Sequence, residues 1–164
     1  MPVLSLSIGS NVNPEANIRR ACELLCERFG KLRYSAVYES EAVGFSGENF
    51  LNLAVLLESD LPLADIKDFL KELEDSMGRD RSKPRFSERV IDIDILTFGD
   101  SDGSEANMAL PREEITRNAY VLCPLSELLP EELHPPSGKS YAQLWQEYDK
   151  SAQSLWCRDF EFTK

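Results

Sequence analysis

The sequence holds one histidine, no long apolar run, and far less positive than negative charge, with 18 lysines and arginines against 29 aspartates and glutamates in 164 residues. Each shortage excludes something. Without the ~20 consecutive apolar residues that span a bilayer, no membrane helix is expected. The opening Met-Pro-Val-Leu-Ser-Leu-Ser-Ile lacks the basic lead and cleavage site of an export signal, so a cytoplasmic location is expected. A net charge of −11 repels nucleic acid and anionic membranes, and neither is expected as a partner. His134 lies in Leu133-His134-Pro135-Pro136, a loop context, and reads as structural or exposed rather than as a base. Of the four cysteines, Cys22 and Cys26 share a helix face, but no second close pair completes a zinc set, so all four read as reduced thiols. There is no repeat, low-complexity tract or linker. The length fits one core, since domains typically run about 100–200 residues, and residues 1–164 are expected to form a single domain.

What is present is ordinary globular material, 42% hydrophobic, with clear periodicities. Val3 to Ile8 alternates apolar and small polar residues, as a half-buried strand does. Asn13 then caps a helix with Pro14 at its first position, and Gly30 marks its end. Ile18, Ala21, Cys22, Leu25 and Phe29 form its apolar stripe. Strands are expected at Leu32 to Ser40, Phe50 to Glu58 and Val90 to Phe98, with a helix from about Pro62 to Met77. A short helical turn at Pro111 to Arg117, an apolar Tyr120-Val121-Leu122 and a helix around Ser140 to Tyr148 follow. The order βαββαβ predicts an α+β fold: a ferredoxin-like core, an antiparallel sheet flanked by helices, with C-terminal additions.

The chemistry concentrates in one stretch. Arg79, Arg81, Lys83, Arg85 and Arg89 are five of the 18 basic residues, placed within 11 positions of an acidic chain. Such a loop is either a solvated charged segment or an anion site, and arginine suits phosphate because its planar fork donates two hydrogen bonds at once. The loop runs into Val90-Ile91-Asp92-Ile93-Asp94-Ile95-Leu96. Side chains alternate along a strand, so Asp92 and Asp94 share one face while Ile91, Ile93 and Ile95 share the other. Paired carboxylates on an apolar strand are costly unless something positive offsets them, either neighbouring arginines or a hard cation such as Mg²⁺. Asn52 likewise interrupts the apolar Phe50, Leu51, Leu53. A buried amide there needs partners, which a planar heterocycle with ring donors and acceptors supplies.

The stretch Arg85 to Leu96 resembles the signature of 6-hydroxymethyl-7,8-dihydropterin pyrophosphokinases, enzymes of folate biosynthesis. Further along the chain, Ile8-Gly9-Ser10-Asn11, Tyr38 to Gly44, Phe50-Leu51-Asn52, Glu74 with Gly78-Arg79, Phe98-Gly99 and Leu122-Cys123-Pro124-Leu125 are similar in order and spacing. The resemblance implies transfer of the β,γ-diphosphate of ATP to the hydroxymethyl group of a reduced pterin, releasing AMP. It implies that Asp92 and Asp94 hold two Mg²⁺ ions. Arg79, Arg81 and Arg89 are implied as catalytic, and Glu74, Arg79, Arg89, Ile95 and Arg112 as ATP-binding. Ser40, Val43, Gly44, Phe50, Asn52, Phe86 and Tyr120 are implied to bind the pterin. The partners implied are these two small molecules, with the chain acting as a monomer. The segments Val43 to Asn49 and Ser82 to Glu88 are expected to close over both substrates.

Some positions depart from the family pattern. Arg112 stands where the family usually has histidine, and Asn118 where it has arginine; Arg117 is one residue early, which in a helical turn rotates a side chain by about 100°. A divergent paralogue acting on a related pterin, another two-metal transferase or nuclease, and a non-catalytic ferredoxin-like ligand-binding module are the alternatives at this level.

Overall fold

A computed structural model describes residues 1–41, 47–78 and 90–162. Arg79, Arg81, Phe86, Arg89, Val43 and Gly44, and with them most of the two expected closing segments, lie outside the described residues. The elements run β1 (Val3–Ser10), α1 (Pro14–Phe29), β2 (Arg33–Tyr34), β3 (Val37–Ser40), β4 (Phe50–Glu58), α2 (Leu63–Ser76) and β5 (Asp92–Phe98). After a 3-10 turn at Ser104–Ala106 come α3 (Glu114–Arg117), α4 (Ala119–Leu128), β6 (Leu133–His134), β7 (Lys139–Ser140), α5 (Tyr141–Glu147) and β8 (Leu155–Arg158).

One antiparallel sheet carries the strands in the order β5-β1-β4-β3-β8, with β2 also paired to β4, and helices flank it. The alternation in β1, β4 and β5 divides two cores. Leu4, Leu6, Ile8, Leu53, Val55, Ile93 and Ile95 face α1 and α2, where Ile18, Ala21, Leu25, Ile66, Leu70 and Leu73 meet them. Even-numbered residues of β4, and of β5 as far as Leu96, face the other way, while the register shift opposite Ser5 and Leu6 returns Phe98 to the first core. There Leu96 packs with Ile115, Val121, Leu122, Leu125 and Tyr141, and Ala54 and Leu56 pack with Leu128. Burying a leucine-sized side chain contributes roughly 1.5–3 kcal/mol, so these two alternating sets fix which face each strand residue shows.

Several sequence expectations change in detail. The strand expected over Leu32 to Ser40 is broken at Ser35-Ala36, because Ala36 donates its N–H to Glu127 of α4 (2.7 Å) instead of continuing the ladder. Asn13 sits at the start of α1 with φ 41°, yet its side chain makes no capping bond; Asn17 instead donates to the Val12 carbonyl at 2.5 Å. The apolar Tyr120 to Leu122, given no element from the sequence, lies in the first turn of α4. Ser140 does cap α5, accepting from the Gln143 N–H. The tail adds β8 against β3, and Phe162 stacks on Tyr34 with ring centres 4.1 Å apart. All four cysteines are free thiols, and burial pushes Cys22 up to about 12, which keeps it unreactive. His134 is buried, bonds Ser137, and burial lowers its pKa, as expected of a structural histidine. Among the described residues no helix is long and apolar enough to cross a membrane.

Candidate active site

Four strand ends meet at one end of the sheet: the end of β1, the end of β3, and the starts of β4 and β5. Directly paired residues on antiparallel strands share a face. The register aligns Asp92 with Gly9, Gly9 with Asn52, and Asn52 with Tyr38, so these four form one row across the sheet. The next row runs Asp94, Ser7, Ala54. Small residues of β1, Gly9 and Ser7, thus separate the carboxylates on one side from the amide on the other. All lie on the face that α3 and α4 cover.

The last residue of β1 and the one after it hold the neighbouring segments to this end. Ser10 donates its hydroxyl to the Val90 carbonyl (2.5 Å), where the chain emerges from the arginine-rich stretch. Asn11 donates to the Glu48 carbonyl (3.1 Å), just after residues 42–46. Both side chains are buried. Sequence reasoning marked Ser10 and Asn11 only as part of a familiar pattern; the structure supplies their work. A polar pair directly after a half-buried strand was the available signal.

Asp92 and Asp94 project together, as alternation requires, and both are half-buried. Arg112 lies 3.6 Å from Asp94 through Nη2 and 2.8 Å from Glu114 through Nε. Its own backbone N–H is bonded to the Leu96 carbonyl, which fixes the Pro111 segment against β5. The Glu114 contact is not aligned as a hydrogen bond, and the buried Nε is held by charge rather than by a directed bond. Glu74 is buried at the end of α2 and accepts the Ile93 N–H at 2.7 Å. It ties α2 to the strand midway between the two aspartates and adds negative charge beneath them. Ile95 falls on the opposite, helix-packed face with its side chain in the core, so only its backbone is available to a nucleotide. Arg117 is exposed and paired with Glu113. Tyr120 is half-buried at the margin of the second core, and Phe50 is half-buried opposite Ser40. Ser40 is buried and accepts a bond from Asn52 at 2.8 Å.

Burial and neighbouring acids raise the cost of ionising Asp94. The Asp94 carboxyl is pushed up to about 7, first by its partial burial and then by Asp92, with Glu74 and Glu114 adding to the effect and Arg112 opposing it. Because the folded value lies above the unfolded one, the metal-free fold is favoured at low pH and loses stability as pH rises from about 4 to about 7. Asp94→Asn in chelator should therefore raise the melting temperature at pH 8 by about 2–4 °C, the response of a protein this size to ~1 kcal/mol. That figure is discounted for solvent screening of a half-exposed group. At pH 4 the gain should vanish, and an equal gain at both pH values in calorimetry contradicts the assignment.

The donor set suits a hard cation. Among the described residues no three histidine, cysteine or acidic side chains form a closed cage. Two carboxylates suffice for Mg²⁺, which keeps several waters and completes its shell with substrate phosphates. An arginine with spare donors beside the pair suits those phosphates.

Residues 5–130 match the profile of the 7,8-dihydro-6-hydroxymethylpterin-pyrophosphokinase family. The chain is 34% identical over 133 residues to a bifunctional protein, FolKE, of Lactococcus lactis, covering 79% of this chain and 38% of that one. It is 30% identical over 150 residues to a 2-amino-4-hydroxy-6-hydroxymethyldihydropteridine pyrophosphokinase of Synechocystis, covering 90% of this chain and 76% of the relative. Its fold is similar to that of Plasmodium falciparum HPPK-DHPS, with a TM-score of 0.70 at 16% identity over 89% of this chain and 41% of that one. The chain thus spans well under half of its bifunctional relatives and about three quarters of a single-function one.

Proposed function

The chain belongs to the 7,8-dihydro-6-hydroxymethylpterin-pyrophosphokinase family, and from that membership we propose that it transfers diphosphate from ATP to 6-hydroxymethyl-7,8-dihydropterin, releasing AMP, in folate biosynthesis. The observation that carries this reading is the single row Asp92, Gly9, Asn52, Tyr38, in which an acidic strand and a buried amide flank a glycine. The carboxylate side suits a metal-bound triphosphate and the amide side a planar heterocycle.

In this reading the pterin hydroxyl oxygen attacks the β-phosphorus of ATP. The bond between that phosphorus and the oxygen bridging to the α-phosphate breaks, AMP leaves with that oxygen, and the hydroxyl proton passes to solvent. Phosphoryl transfer of this kind depends on positioning and charge neutralisation more than on a strong base, consistent with the single, distant histidine. Asp92 and Asp94 would hold two Mg²⁺ ions, which when bound neutralise the triphosphate's charge. Arg112 donates to phosphate oxygens and is held for that by Glu114 and the Leu96 carbonyl. Glu74 keeps the metal strand in register through the Ile93 N–H. Arg79, Arg81 and Arg89 serve as the catalytic arginines. Asn52 reads the pterin, Phe50 and Tyr120 sandwich its ring, and Ser40, Val43, Gly44 and Phe86 complete its surroundings; Ile95 serves ATP through its backbone.

The same reading makes the core ferredoxin-like, supported by the strand order β5-β1-β4-β3 with α1 and α2 on one face. It takes residues 1–164 as one domain, acting as a monomer in the cytoplasm. AMP formation from ATP, followed chromatographically, tests the proposal. AMP should appear only when Mg²⁺ and the reduced pterin are both present; pterin-independent release, or none at all, rejects it.

A further inference from the structure

The amide of Asn52 is held in one orientation. Its Nδ2 donates to Ser40 Oγ at 2.8 Å and to the Tyr38 carbonyl at 3.3 Å. A carbonyl only accepts, so the amino end must face Tyr38, and the serine hydroxyl takes the second N–H. The amide oxygen is thereby turned the other way, toward Gly9. A Cβ on Gly9 would lie 3.2 Å from Asn52 Oδ1 and 3.8 Å from Phe50 Cδ1. Gly9 has no positive φ, so its backbone places no demand for glycine there. What its missing side chain provides is clearance directly beside a buried acceptor.

Resting on the pterin reading above, we infer that Ser40 is a positioning residue for Asn52: its hydroxyl acts through the amide rather than on the ligand, and with the Gly9 clearance it makes this corner a fixed acceptor. A fixed acceptor selects an N–H donor edge, and the lactam N–H and exocyclic amine of a 2-amino-4-oxopyrimidine ring form such an edge. A flipped amide would oppose donors to donors. Selectivity for the ring therefore depends on a hydroxyl that bonds the amide rather than the ring.

A double-mutant cycle tests this. Binding of 6-hydroxymethyl-7,8-dihydropterin is titrated calorimetrically with Mg²⁺ and an α,β-methylene analogue of ATP, which prevents turnover. Ser40→Ala should weaken pterin binding about tenfold, the scale of one hydrogen bond, and leave affinity for the nucleotide analogue within about twofold. Ser40→Thr, which keeps the hydroxyl, should stay within about threefold of the parent. In an Asn52→Ala background, Ser40→Ala should cost less than about twofold more. Gly9→Ala should also weaken pterin binding selectively. Additive losses in the cycle, or a Ser40→Thr loss equal to that of Ser40→Ala, overturn the positioning role while leaving the pterin reading intact. A parent protein that does not bind pterin overturns both.

Discussion

Asp92→Ala and Asp94→Ala are each expected to cut diphosphate transfer by roughly 10³-fold or more while the protein still folds. That is the scale on which charge-neutralising groups act in phosphoryl transfer. Folding should survive because each substitution relieves a repulsion: Asp94 is already pushed toward its neutral form by burial and by Asp92, with Glu74 and Glu114 nearby. The two effects should therefore separate, with activity lost and the melting temperature of the metal-free protein kept or raised. Initial rates at saturating ATP and Mg²⁺, beside thermal melts in chelator, check both halves. Near-parental turnover in either variant contradicts the metal assignment, and a lost melting transition contradicts the repulsion argument.

Arg89→Ala is expected to lose about 10²–10³-fold in turnover, whereas Arg117→Ala should stay within about threefold of the parent. Arg89 lies three residues before Asp92, in the sequence leading to the strand that carries both aspartates. Arg117 is exposed and engaged with Glu113, a surface pair at helical spacing of the kind that contributes little. The basic residue of that region that reaches the carboxylates is Arg112, 3.6 Å from Asp94. Comparable losses in Arg89→Ala and Arg117→Ala, measured at saturating substrates, would mean that Arg117 leaves Glu113 for the nucleotide.

Much of this was readable in the chain because period-two alternation in a strand with one apolar face dictates the other face. Ile91, Ile93 and Ile95 had to be buried, so Asp92 and Asp94 had to share the opposite side. The same rule places Ile95 away from the carboxylates, although family resemblance grouped it with the nucleotide. Helix α1 was legible from its apolar stripe and the Pro14 and Gly30 boundaries. What the sequence concealed depends on partners distant along the chain. Glu127 interrupts the strand at Ala36 from 91 positions away, and Glu74 bonds a strand 19 positions on. Strand β8 carries no strong alternation and forms because β3 offers it an edge. The orientation of the Asn52 amide is likewise a tertiary fact, set by Ser40 and Tyr38 on another strand.

The most direct measurement of the central claim is phosphorus NMR of the products formed from ATP, Mg²⁺ and 6-hydroxymethyl-7,8-dihydropterin. The account predicts AMP together with a pterin ester bearing two coupled phosphorus atoms, both derived from the β and γ positions of ATP. ADP with a pterin monophosphate, or ADP with free phosphate, would contradict it.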